Sequence, residues 1–120
     1  MRTSSIELKK SGWREFMLWL LRRRRRFRVT GNSMLPLLQP GEEVLIDPGA
    51  YRSRPPLPGE IVVAQHPYRS EVRLIKRVTS VVGDNQYVLK GDNPAGSTDS
   101  RAFGPITEHN IIGRVTSRFG

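Results

Sequence analysis

The chain is 120 residues long, carries a net charge of +9 and contains no cysteine. A chain of that length holds one modest hydrophobic core, and the lack of cysteine excludes thiol catalysis, disulfides and cysteine-ligated zinc. The two histidines, His66 and His109, stand in no metal-ligand spacing, so neither a metal nor a cofactor is expected.

The charge is unevenly placed. Residues 1–28 carry ten Lys or Arg against Glu7 and Glu15, whereas residues 29–120 carry ten against nine acids. The chain therefore divides into a basic arm, 1–28, and a nearly neutral domain, 29–120. A basic total that belongs to an arm is poor ground for a nucleic-acid-binding domain. Residues 1–12 are polar and predict little order. Trp13 to Leu21 is an apolar run followed by Arg22 to Arg26. It is far shorter than the ~20 residues that cross a bilayer, and charge following the apolar run is the reverse of a secretory leader. Two readings of a short helix here stand side by side. In one, residues 13–28 rest peripherally on an anionic membrane; in the other, the helix packs on the domain or on a partner. Nucleic-acid binding ranks behind both, because no aromatics interleave the arginines and no module is recognisable.

Phe27-Arg28-Val29-Thr30 is a short β-prone run that leads into Gly31-Asn32-Ser33-Met34-Leu35-Pro36. A glycine before and a proline after predict a defined turn, which presents the Ser33 hydroxyl from a rigid backbone. Glu43–Asp47 reads as a strand between Pro40-Gly41 and Pro48-Gly49, and three prolines make residues 51–59 an extended connection. Glu60–Gln65 reads as a buried strand. Along Glu71–Thr79, alternation puts Val72, Leu74, Lys76 and Val78 on one face, and Arg73 and Arg77 on the polar one. A lysine on an apolar face loses hydration, which disfavours its charged form and suits it to accept a proton. The blander reading is a lysine that snorkels to the strand edge. Residues 81–89 form a hairpin about Gly83-Asp84-Asn85. A polar loop, Gly91 to Arg101, follows, then Ala102-Phe103-Gly104 and a last strand, Ile111–Val115.

A serine at a rigid turn and a lysine on an apolar strand form a nucleophile and its base without histidine. In that pairing Lys76 takes the Ser33 proton as the hydroxyl attacks a peptide carbonyl. The order of Gly31-Asn32-Ser33-Met34-Leu35-Pro36, Lys76-Arg77-Val78 and Gly91-Asp92-Asn93…Ser97…Asp99-Ser100-Arg101…Phe103-Gly104 resembles the boxes of type I signal peptidases. Gly41-Glu42-Glu43-Val44 and Gly59-Glu60-Ile61-Val62-Val63 resemble the family's intervening strand starts. The likeness covers about residues 27–115 and extends to leader peptidases, mitochondrial inner-membrane proteases and the maturation proteases of nickel superoxide dismutase.

The resemblance implies a mostly β fold: a small antiparallel β-barrel-like core with a short N-terminal helix. It implies Ser33 as nucleophile, Lys76 as base and Ser97 as a hydroxyl that orients the lysine. Asp99 and Arg101 would form a salt bridge beneath the site, and Gly31, Met34 and Pro36 would set the turn. Some relatives carry a hydroxyl residue where Gly31 stands, so only the Ser33 N–H is nominated as an oxyanion donor. The family's usual membrane anchor and inserted β-domain have no counterpart in the sequence. That favours the compact maturation protease of nickel superoxide dismutase, acting in the cytoplasm or at the inner membrane face on a precursor's N-terminal propeptide. A general signal peptidase or inner-membrane-protease-like leader peptidase is the alternative. A non-enzymatic basic module that binds membrane or nucleic acid is a third. A self-cleaving repressor fits poorly: residues 1–32 hold no helix-turn-helix pattern, and the one Ala-Gly, Ala95-Gly96, lies inside the polar loop.

Overall fold

The computed structural model describes Leu8, residues 12–93 and residues 103–119. One short helix, α1 (Trp13–Leu20), precedes seven strands: β1 (Arg25–Arg28), β2 (Glu43–Asp47), β3 (Ile61–Gln65), β4 (Arg73–Val81), β5 (Gln86–Lys90), β6 (Ile106–Thr107) and β7 (Ile111–Arg118). They form a single antiparallel sheet in the order β1-β2-β7-β3-β4-β5-β6, curled into a half-barrel. The mostly β class expected from the sequence is what the chain adopts. The arginine-rich β1, within the stretch read as a basic arm, is an edge strand paired along its length with β2. Arg26 and Arg28 both meet Glu43 across that pair.

β3 lies near the middle of the sheet and is buried on both faces. Ile61 and Val63 join Val29, Met34, Leu38, Val44 and Val115 in one core cluster. Val62 and Ala64 join Val78, Tyr87, Leu89 and Ile106 in a second. This two-sided burial explains why its sequence is a continuous apolar run instead of an alternating one. The hairpin between β4 and β5 turns at Gly83 and Asn85, with φ of +78° and +58°, as the Gly-Asp-Asn sequence predicts.

The joint between β2 and β7 depends on one glycine. A β-carbon on Gly113 would lie 2.6 Å from the Asp47 carbonyl oxygen and 2.9 Å from its carbon, so backbone would have to move. Gly113→Ala is therefore expected to lower stability by about 1–3 kcal/mol, seen as an earlier denaturant midpoint with an unchanged m-value.

α1 rests against β7 and the residue that follows it. The Glu15 carboxylate accepts a hydrogen bond from Thr116 Oγ1 of β7 and pairs with Arg24 at 3.1 Å. The Trp19 ring meets Phe119 edge-on at 4.9 Å between centroids, and the Arg26 guanidinium lies 4.4 Å from the Phe119 ring. No helix among the described residues is long and apolar enough to cross a membrane.

Candidate active site

Ser33 is carried by the turn between β1 and β2. Gly31 enters it at φ +77°, a conformation that costs other residues about 1–2 kcal/mol. No atom lies within 4 Å of where its β-carbon would stand, so the demand for glycine is conformational, not steric. The turn is held by hydrogen bonds from Leu35 N–H to the Asn32 carbonyl (3.2 Å) and from Leu38 N–H to the Met34 carbonyl (2.9 Å). The Leu35–Pro36 peptide is cis. Met34 and Leu38 are wholly buried and root the turn in the first core cluster, which leaves Ser33 at its rim, 8% exposed.

The Ser33 Oγ lies 3.5 Å from the carbonyl oxygen of Ile75, at the outer limit of hydrogen-bond reach. Ile75 is the residue directly before Lys76, and both precede the start of the β4–β5 ladder at Arg77↔Lys90. Lys76 is 4% exposed and sits opposite Val62 of β3. It is therefore a buried lysine within an apolar stretch, in contrast to one that snorkels to the surface.

The start of the polar loop is fastened to the same place. Asn93 N–H donates to the Ser33 carbonyl at 2.8 Å, and Asn93 Nδ2 donates to the Asn32 carbonyl at 3.0 Å. Arg77 ties the loop to β4: its Nε and Nη2 donate to the two Asp92 carboxylate oxygens at 2.9 and 2.8 Å, and its Nη1 donates to the Gly59 carbonyl at 2.8 Å. The first two sequence boxes and the start of the third, Asp92 and Asn93, thus converge on one region. Ser97, Asp99 and Arg101 lie outside the described residues. Phe103 is buried against the His66 ring, with 4.9 Å between centroids.

Arg77 corrects the sequence reading. Alternation assigned it to a polar, outward face, yet it is 8% exposed. The face opposite Lys76 is also covered at this point, and the guanidinium is accommodated because Asp92 and Gly59 together use its fork geometry. The nearest sequence signal is Asp92, an acid in the third box, which alternation along β4 does not connect with Arg77.

A second buried ionic centre went unread. Glu60, 4% exposed, accepts hydrogen bonds from Tyr51 Oη (2.9 Å) and Leu57 N–H (3.0 Å) and pairs with Arg54. It pins the proline-rich connection to the start of β3, next to Gly59. Burial by itself would raise the Glu60 carboxyl; the hydrogen bonds from Arg54, Leu57 and Tyr51 outweigh it and leave the group below its ordinary value of 4.5. Burial, then the Glu60 charge, push the Tyr51 phenol well above the ordinary range. Because the folded carboxyl holds its proton less tightly than the unfolded one, its contribution is complete above the ordinary value. It is lost as pH falls through the lower folded value. Equilibrium unfolding followed from pH 6 to pH 3 is expected to show this loss at the acid end, and Glu60→Gln is expected to flatten that limb.

A cavity of about 530 Å³ bordered by Tyr51, Asn85 and His109 contains none of the candidate residues. An extended peptide needs no such hole, since it binds by adding to a strand edge.

The family model described as Peptidase S24-like matches residues 22–116. The chain belongs to this S24-like peptidase family. It is 33% identical over 110 residues to mitochondrial inner membrane protease subunit 2 of Danio rerio, covering 74% of this chain and 60% of that protein. It is 34% identical over 109 residues to mitochondrial inner membrane protease subunit 1 of Schizosaccharomyces pombe, covering 75% and 69%. It is 25% identical over 134 residues to a probable signal peptidase I-1 of Synechocystis, covering 76% and 68%. The S24-like chain therefore spans between about three fifths and two thirds of the length of these relatives. The signal-peptidase-like serine endopeptidase kinship expected from the boxes is what the comparisons give.

Proposed function

We propose that the chain is a serine endopeptidase that removes an N-terminal leader or propeptide, with Ser33 as nucleophile and Lys76 as general base. The observation that carries this is the contact of the Ser33 hydroxyl with the carbonyl of Ile75, the residue that adjoins Lys76. In the reaction, an uncharged Lys76 amine takes the Ser33 proton as Oγ bonds to the scissile carbonyl carbon. Collapse of the tetrahedral intermediate breaks the C–N bond, and the lysine ammonium returns the proton to the leaving amine. Water, activated by the same amine, then releases the acyl group from Ser33. The Ser33 N–H is the nominated oxyanion donor, and Ser97 is the hydroxyl that orients the lysine.

As substrate we propose the precursor of nickel superoxide dismutase. The second reading, a leader peptidase of broader range, is favoured by the names of the relatives, two inner membrane proteases and a signal peptidase. One experiment separates them. The purified chain is incubated with a nickel superoxide dismutase precursor and, separately, with a secretory precursor, and new N-termini are read by mass spectrometry. Cleavage of the first alone supports the maturation reading, and cleavage of the second supports the broader one. Loss of cleavage in Ser33→Ala is expected in either case. Cleavage that survives Ser33→Ala, or cleavage of neither precursor, removes the proposal.

A further inference from the structure

Where α1 meets the turn after β2, the structure holds a cleft of about 380 Å³ lined by Arg14, Arg22, Arg23, Arg24 and Arg52, with Asp47 as its single acid. Arg24 is committed: it pairs with Glu15 at 3.1 Å and approaches Asp47 at 3.6 Å. Asp47 also accepts the Gly49 N–H at 2.9 Å. Among the described residues, Arg14, Arg22, Arg23 and Arg52 make no ion pair. Asp47 is engaged by Arg24 and the Gly49 N–H, so the other four arginines bordering the cleft outnumber its one carboxylate, and an anion with several oxygens relieves their mutual repulsion.

The backbone adds a second observation. α1 ends with Arg22 N–H donating to the Trp19 carbonyl (3.0 Å) and Arg23 N–H to the Leu18 carbonyl (2.8 Å). This is the Schellman pattern, in which the residue at the left-handed position is usually glycine. Here that residue is Arg22, at φ +63°. The chain accepts a strained conformation at the position that carries a cleft-lining arginine.

The outward side of the same helix is apolar. Trp13 is 77% exposed, Leu21 65%, Leu20 52% and Phe16 40%. Trp13, Phe16 and Leu20 follow helical spacing and share one face, bordering the Trp19 contact that holds α1 to the sheet, with the Phe16 and Trp19 ring centroids 5.7 Å apart. At 1.5 Å per residue, α1 itself is ~12 Å long, suited to lying in a membrane interface and not to crossing one.

We propose that α1 and this cleft form a docking site for an anionic phospholipid bilayer, with a headgroup phosphate among Arg14, Arg22, Arg23 and Arg52. Trp13, Phe16, Leu20 and Leu21 enter the boundary of headgroups and acyl chains. Apolar side chains beside the arginines favour lipid over a nucleic acid, which offers phosphates without an apolar surface.

The test is binding to vesicles of phosphatidylcholine alone and of phosphatidylcholine with phosphatidylglycerol, using Ser33→Ala protein so that the result is independent of peptidase activity. Binding to the anionic vesicles only, weakening with salt and quenched by brominated acyl chains in a Trp13-dependent way, is the expected result. Each arginine removed should weaken it about fivefold. Arg22→Gly is the informative variant, since glycine relieves the strained φ. It should raise the thermal midpoint while weakening vesicle binding, an outcome that misfolding cannot produce. No anionic vesicle binding, equal binding to neutral vesicles, or binding unaffected by Arg22→Gly and Arg52→Gln would overturn the proposal. So would binding of inorganic phosphate or a DNA duplex without binding of vesicles.

Discussion

Replacing Lys76 with methionine is expected to lower kcat for peptide cleavage by about 10²–10⁴-fold, the range set by loss of a positioned general base. KM is expected to stay nearly constant, because in the proposed mechanism the amine acts on the serine proton and not on the bound peptide. Methionine keeps the length of the buried lysine stem, so the fold should survive. We expect the thermal midpoint to shift by no more than about 4–8 °C, the displacement that ~1 kcal/mol causes in a domain near this size. Steady-state kinetics on a leader-like peptide, with calorimetry on the same samples, separates this outcome from simple unfolding. Full activity in the methionine variant would remove Lys76 from the chemistry and leave the serine without a base.

Arg77→Met carries the second large effect, this time on stability. The guanidinium is held by both Asp92 oxygens and by the Gly59 carbonyl, with Arg77 and Asp92 side chains 10% and 21% exposed. Removing one partner of a buried pair costs about 3–5 kcal/mol; because Asp92 retains some contact with solvent, the lower end applies. Asp92→Leu on top of Arg77→Met should recover much of the loss, since the uncompensated carboxylate is then gone too. Catalysis should not recover with it. The double variant lacks the tie between β4 and the segment whose Asn93 grips Ser33, so kcat stays low in a folded protein. Denaturant melts of the single and double variants, read as a cycle beside their kinetics, check both halves. A double variant destabilised by the sum of the two single changes would mean that the pair is not coupled.

β2 was legible because a Pro-Gly pair stands on each side of it, and β3 because its apolar residues run without a break. The Gly83–Asn85 turn was legible from its Gly-Asp-Asn sequence. β1 was harder to place: it is Arg-Arg-Phe-Arg, and its pairing partner Glu43 lies beyond the serine turn, so the strand starts earlier than the Phe27–Thr30 run suggested. The two-residue β6 carries too little sequence to show a period at all. In the site, Ser33 and Lys76 could be read from local chemistry, a rigid turn and an apolar face. Arg77 could not, because alternation assigns a residue to a face without saying whether that face is covered. Glu60 was read as the start of a strand; its role rests on Tyr51 and Arg54, which a chain of prolines brings back to it.

The position of β7 has a consequence for how the molecule comes into being. Latest of the strands in sequence, it is inserted between β2 and β3, and among the described strands only β7 bonds the pair β1–β2 to the group β3–β6. Until residues 111–118 have emerged, the half that bears the serine turn and the half that bears the lysine strand share no ladder. Biosynthesis therefore delivers two incomplete pieces first and the continuous sheet afterwards. Separately produced fragments 1–105 and 106–120 should each lack ordered structure and regain it when mixed.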